Sequence, residues 1–170
     1  NAGEEPVQFT KDPERGDVAL FPTPAHAQLP LVPELDFGTN DFSVAFWIKI
    51  NPLIPIAGDP VIIGNKDWGS GSNVGFLVGL DGADTQGSHM WTVNLADGTG
   101  RLDWDADDNQ TPNLKDGNWH FVAVAFDRDD KLNVYLDGVL RQSDPAQDSY
   151  DLTLAPGSLT SGLPLTIMQD

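Results

Sequence analysis

The sequence predicts an all-β protein built as an antiparallel two-sheet β-sandwich, and three observations carry that prediction. The stretch from Lys115 to Val139, KDGNWHFVAVAFDRDDKLNVYLDGV, reads as two period-two strands, roughly 119–126 and 132–139, around the short polar turn 127–130. Leu132, Val134 and Leu136 alternate with Asn133, Tyr135 and Asp137, the pattern of a half-buried antiparallel pair. A second strand signal lies at 41–50, DFSVAFWIKI, where Phe42, Val44, Phe46, Ile48 and Ile50 share one face and Ser43, Ala45, Trp47 and Lys49 the other. The third is compositional: there are 22 Asp but only four Glu, all four within the first 34 residues. Asp favours turns and Glu favours helices, so the acid content points to many turns between short strands.

The remaining elements follow in order. Residues 1–16, with Pro6 and Pro13, read as an extended lead-in to a single domain spanning 17–170. A short first strand is expected at 18–21. Four prolines (Pro22, Pro24, Pro30 and Pro33) rule out a helix over 22–35 and confine pairing there to a sheet edge. Apolar runs at 61–64 and 74–80 suit buried strands, separated by the glycine-serine loop 65–73. A hairpin is expected from 90–96 and 101–105 across Asp97-Gly98, a step that favours a tight turn. Its parity places Trp91, Val93, Leu95, Leu102 and Trp104 toward the core. Thr92, Asn94, Arg101, Asp103 and Asp105 fall on the opposite, polar face. Residues 106–116 read as an acidic loop, 141–162 as mostly polar loop, and 163–168 as a last strand. Trp47, Trp91, Trp104 and Trp119, lying in strand patterns, are all expected in the core. Roughly ten short strands with no convincing helix and no repeat give a sandwich.

Bulk properties narrow the function. A formal charge of -17 repels nucleic acid and anionic lipid and attracts cations. No stretch approaches the ~20 apolar residues of a membrane helix. With no cysteine, there is neither a disulfide framework nor a zinc-thiolate site. The first residue is Asn1 rather than Met, as expected of a processed chain or of a piece cut from a longer one.

In the order FGTNDFSVAFWIKI (37–50), VIIGNKDWGSGSNVGFLVGL (61–80), MWTVNLADGTGRLDW (90–104), DGNWHFVAVAFDR (116–128) and LNVYLDG (132–138), the chain resembles the laminin G-like, concanavalin A-like jelly roll of bacterial extracellular proteins. The resemblance implies two packed antiparallel sheets, often a structural calcium ion, binding of glycans or cell-surface protein ligands, and an extracellular setting beside catalytic or adhesive domains. It also implies a further strand closing one sheet beside the first. That place is expected to be filled by residues around Val7 to Phe9 or by another segment; left unfilled, it is an open edge that invites strand addition and self-assembly.

Candidate sites follow from chemistry. Related glucanases on this sandwich use paired glutamates, and this sequence has no Glu after Glu34, so a non-catalytic module is expected. For calcium, Asp103, Asp105, Asp107 and Asp108 gather hard oxygen ligands in a few residues. The spacing is not that of an EF-hand, since Asp108 stands where Gly belongs and Leu114 where Glu belongs. For a glycan, Trp68 in its Gly/Ser loop offers a stacking face. Asn65, Lys66, Asp67 and Asn73 flank it with donors and acceptors, and Asn94 and Arg101 could line a polar groove. His120, next to Trp119 at a strand start, is expected to serve structure.

Overall fold

The computed structural model describes residues 6–22, 24–53, 60–66, 73–80, 91–106, 114–141 and 151–169. Twelve strands and two short 3-10 turns make up its regular structure among these residues. The strands are β1 (Gln8–Asp12), β2 (Gly16–Leu20), β3 (Ala27–Gln28), β4 (Phe42–Ile48), β5 (Val61–Gly64), β6 (Gly75–Gly79), β7 (Thr92–Ala96), β8 (Arg101–Asp105), β9 (His120–Phe126), β10 (Leu132–Leu136), β11 (Val139–Arg141) and β12 (Thr166–Gln169). One sheet has the order β11-β10-β9-β4 and the other β3-β12-β5-β6-β7-β8. Every pairing is antiparallel. This is the all-β sandwich the sequence predicts.

The core forms where the alternating faces meet. Val122, Val124 and Phe126 of β9, Val134 and Leu136 of β10, Phe76 and Val78 of β6, and Val93, Leu95, Leu102 and Trp104 of the β7–β8 hairpin belong to one buried cluster. Phe76 ties the sheets together, meeting Phe42 at 5.0 Å and Phe126 at 5.5 Å in edge-to-face geometry, the arrangement favoured by the ring quadrupole. The buried Leu152, Ala155 and Leu159 belong to the same cluster. Their segment is fastened to the sandwich by polar contacts. The Arg128 guanidinium donates to the carbonyls of Ala155 and Gly157 (2.6 and 2.8 Å), and Gly157 N–H donates to Asp97 (2.8 Å).

Four local expectations change. The strand expected over 132–139 is two strands, β10 and β11, folded back at Asp137-Gly138, both in the left-handed region (φ 53° and 78°). Two successive positive φ values make the tight turn whose twist matches a hairpin. The first strand expected at 18–21 begins at Gly16 instead. The lead-in is not simply extended: β1 pairs with β2 from Gln8↔Leu20 to Asp12↔Gly16, closed by Asp12, whose side chain accepts from the Glu14 and Arg15 N–H groups. Phe9 therefore pairs with Ala19 in a separate two-stranded ribbon, and Val7 to Phe9 do not fill a place in either large sheet. The proline-rich stretch supplies the two-residue edge strand β3, as its prolines require.

Candidate functional site

Alternation along β4, β9 and β10 gives their sheet two unlike faces. The inward face is the core. The outward face is set by register: Ser43 lies opposite Ala125, Ala45 opposite Ala123, and Trp47 opposite Phe121. On the far side of β9, Asn133 pairs with Ala125 and Tyr135 with Ala123, and Leu140 of β11 pairs with Tyr135. The four smallest side chains of the face thus sit in one block, with Trp47 and Phe121 rising at one end and Tyr135 and Leu140 along one side. The tall residues remain accessible: Trp47 is 47% and Leu140 51% exposed, and Phe121 and Tyr135 are half-buried.

Trp47 is accordingly not a core residue, contrary to the expectation. Parity excluded it, since it alternates with Phe46 and Ile48, which point inward. Trp119 is only half-buried, whereas Trp91 and Trp104 are buried at 0% and 2% exposure as expected. Trp47 packs against Phe121 with centroids 5.2 Å apart. The Arg15 guanidinium, at the tip of the β1–β2 ribbon, lies 3.6 Å from its ring centroid, a cation–π contact that brings donors to this end of the face. At the other end, where β4 begins and β9 ends, an open depression of about 330 Å³ is lined by Asp41, Phe42, Ser43, Ala125, Phe126 and Asp127.

The described side chains singled out from sequence fall elsewhere. Asp67, Trp68, Asp107 and Asp108 lie outside the described residues. Asn65 and Lys66 are buried, at 9% and 7% exposure. Asn65 Oδ1 accepts from Phe76 N–H at 2.9 Å, so this carbonyl oxygen serves the backbone of β6 rather than the surface. Asn73 is exposed. The face carrying Thr92 and Asn94, expected to be wetted, is covered there: the two are 1% and 0% exposed. Across the hairpin Thr92 Oγ1 donates to the Trp104 carbonyl (3.0 Å) and Asn94 Nδ2 to the Leu102 carbonyl (3.1 Å) and Asp103 (2.6 Å), while the buried Asn94 Oδ1 has no hydrogen-bond partner among the described residues. Arg101 grips the same carboxylate, Nε to Oδ2 at 2.9 Å and Nη2 to Oδ1 at 2.9 Å. Asp103 thus already has a cationic partner, which disfavours its use as a metal ligand. Asp105 is half-buried beside it. Among the described residues no three His, Cys, Asp or Glu side chains are grouped to hold a metal.

His120 has the structural surroundings expected of it. Buried at 6% exposure, it reaches Asp137 with Nδ1 (2.8 Å) and Asp116 with Nε2 (3.1 Å). Burial alone lowers an imidazole pKa, but the hydrogen bonds to Asp137 and Asp116 outweigh it and raise this one above its usual value. Asp137 also accepts from Phe121 N–H at 2.8 Å. The cluster therefore pins the β10–β11 turn and the loop before β9 to one strand end.

A two-sheet antiparallel sandwich of this strand order belongs to the jelly-roll class of lectin-like folds. The comparisons agree: a family model described as the concanavalin A-like lectin/glucanases superfamily, of laminin G type, matches residues 23–162. The chain belongs to that family. No curated protein matches it. Among solved structures it is similar to the binding domain of Paraclostridial mosquitocidal protein 1 (13% identity, TM-score 0.66), covering 95% of this chain and 37% of that one. It is similar to domains LG4-5 of the mouse laminin α1 chain (15%, TM-score 0.53; 84% and 30%). It also resembles a botulinum neurotoxin type C structure whose cell entry depends on two ganglioside molecules (17%, TM-score 0.53; 95% and 35%). The chain thus spans about a third of the length of these structures, and at such identities the likeness is one of fold.

Proposed function

We propose that this chain is a non-catalytic, extracellular carbohydrate-recognition module. The observation that carries the reading is the outer face of the β11-β10-β9-β4 sheet, where aromatic rings and small residues lie open to solvent next to a few polar groups. Such surfaces suit sugars, whose C–H faces stack on rings while hydroxyls take directed hydrogen bonds. The fold neighbours are binding domains, one of them tied to gangliosides, which supports binding rather than turnover on this scaffold. A cell-surface or matrix glycan is the ligand kind we assign. Immobilised-glycan screening of the purified domain tests this: saturable binding to a glycan is expected, and hydrolysis of that glycan would overturn the non-catalytic part.

Calcium belongs to the same proposal. The oxygen ligands would come from Asp103, Asp105, Asp107 and Asp108, with Asp103 also paired to Arg101. A thermal midpoint raised by calcium and lowered again by chelator supports it; no shift at millimolar calcium removes the ion.

A second reading, an adhesion or assembly subunit, is favoured by β4 itself. Its core-facing Phe42, Phe46 and Ile48 stay half-buried, and among the described residues no strand pairs with its second edge. A strand from a neighbouring chain would pair with that edge and cover those rings. Sedimentation over a hundredfold concentration range tests it; a strict monomer throughout rules out self-assembly.

A further inference from the structure

We propose that the outer face of the β11-β10-β9-β4 sheet is a groove for a neutral, linear chain of pyranose sugars, lying along the β4–β9 pair. This inference rests on the carbohydrate reading and adds to it the face, the direction and the ligand class.

The groove arises from register. Ser43↔Ala125 and Ala45↔Ala123 set four short side chains side by side, while Trp47 and Phe121 close one end and Tyr135 and Leu140 stand along one side. A low floor results, running with the strands and walled on one side by Tyr135 and Leu140, with the edge strand β4 on the other. At about 3.4 Å per residue, the six steps from Asp41 to Trp47 span about 20 Å, enough for several sugar rings in line. At the far end the trough opens into the depression bounded by Asp41, Ser43 and Asp127.

The polar groups choose the ligand. Asp127 and the second oxygen of Asp41, whose Oδ1 already accepts from Arg128 N–H at 2.8 Å, would accept hydrogen bonds from hydroxyls and repel uronates and sulfates. Ser43 and Asn133 add neutral partners, and Arg15, whose guanidinium covers one face of the Trp47 indole, brings donors to that end. The chain as a whole carries -17, so a polyanionic glycan would approach against the field. An uncharged chain of pyranoses meets the apolar floor with its C–H faces and the rim with its hydroxyls.

The test uses the purified domain, titrated calorimetrically with neutral polysaccharides (mannan, xyloglucan, mixed-linkage glucan, galactan) and with anionic ones (alginate, heparin, carrageenan). Ala123→Arg fills the trough from an outward position, and Tyr135→Ala removes part of its wall; thermal midpoints report whether each variant is folded. Binding to a neutral polysaccharide, insensitive to salt and weakened at least tenfold in either folded variant, is the expected result. Neutral binding unchanged in both variants overturns the assignment of the face while leaving the carbohydrate reading in place. Binding confined to the anionic panel overturns the ligand class. Absence of binding to every polysaccharide in both panels overturns the carbohydrate reading itself and this inference with it.

Discussion

Strands β9 and β4 pair along seven residues and carry the same apolar alternation, yet their inward sides differ. On β9, Val122 and Val124 are 0% and Phe126 1% exposed. On β4, Val44 is 8% exposed, and Phe42, Phe46 and Ile48 are only half-buried. The residues are no less apolar; the neighbours differ. Among the described residues β9 has a strand on each side, whereas β4 has one. Burial in a sheet is therefore a property of strand position as much as of sequence, and the free energy gained per side chain falls toward an edge.

The paired phenylalanines test this contrast with the largest expected effect. Phe42 and Phe126 stack at 4.2 Å and differ chiefly in exposure. Phe126→Ala should cost about 3–5 kcal/mol in urea denaturation, the usual loss for a buried aromatic. Phe42→Ala should cost roughly half that, because part of its surface already meets water. Equal losses would mean that the β4 side is as well sealed as the β9 side.

His120 comes next, anchoring the end of β9 that faces the β10–β11 turn. Its raised pKa means that protonation stabilises the fold. That contribution is complete below the free value of 6.5 and is lost as pH rises through the folded value. Asp116 and Asp137 have pKa values lowered from 3.8; burial opposes this, and hydrogen bonds, including those to His120, outweigh it. Their contributions are present above 3.8 and lost as pH falls through the folded values. The cluster thus stabilises most between those limits. His120→Gln should cost about 1.5–3 kcal/mol at pH 5.5, the range for hydrogen bonds to charged groups. It should also flatten the loss of stability between neutral and mildly alkaline pH seen in the parent, as followed by thermal midpoint. An unchanged alkaline slope would mean that the imidazole is neutral in the fold.

Smallest is Arg101→Ala. The Arg101–Asp103 pair is about a third exposed on both sides, so its loss should cost less than about 1 kcal/mol. A loss several times larger would show that the covered Asn94 side of the hairpin depends on this ion pair.

The sandwich, its antiparallel pairing and most of its strands were legible because period-two alternation and turn residues are local signals. The β10–β11 fold-back was less so: Leu136-Asp137-Gly138-Val139 keeps the alternation while the backbone reverses at two positive φ values. A strand near β2 was expected, but β1 and its pairing with β2 were missed because the residues of both are nearly all exposed and show no apolar stripe. The site was read less well for a related reason. Alternation says which residues share a face and not what covers that face. Thr92 and Asn94 share a polar face and are buried; Trp47 shares a face with Ser43, Ala45 and Lys49 and is half exposed. Its place in a strand pattern suggested core for Trp47, and its parity, read strictly, would have placed it outside.

The central claim, that the outer β4–β9 face is the ligand surface, is tested most directly by mapping backbone amide chemical shifts while a neutral oligosaccharide is added. The account predicts perturbations centred on Ser43, Ala45, Trp47, Phe121, Ala123, Ala125 and Tyr135. Perturbations centred instead on the 65–73 loop, with this face silent, would contradict it.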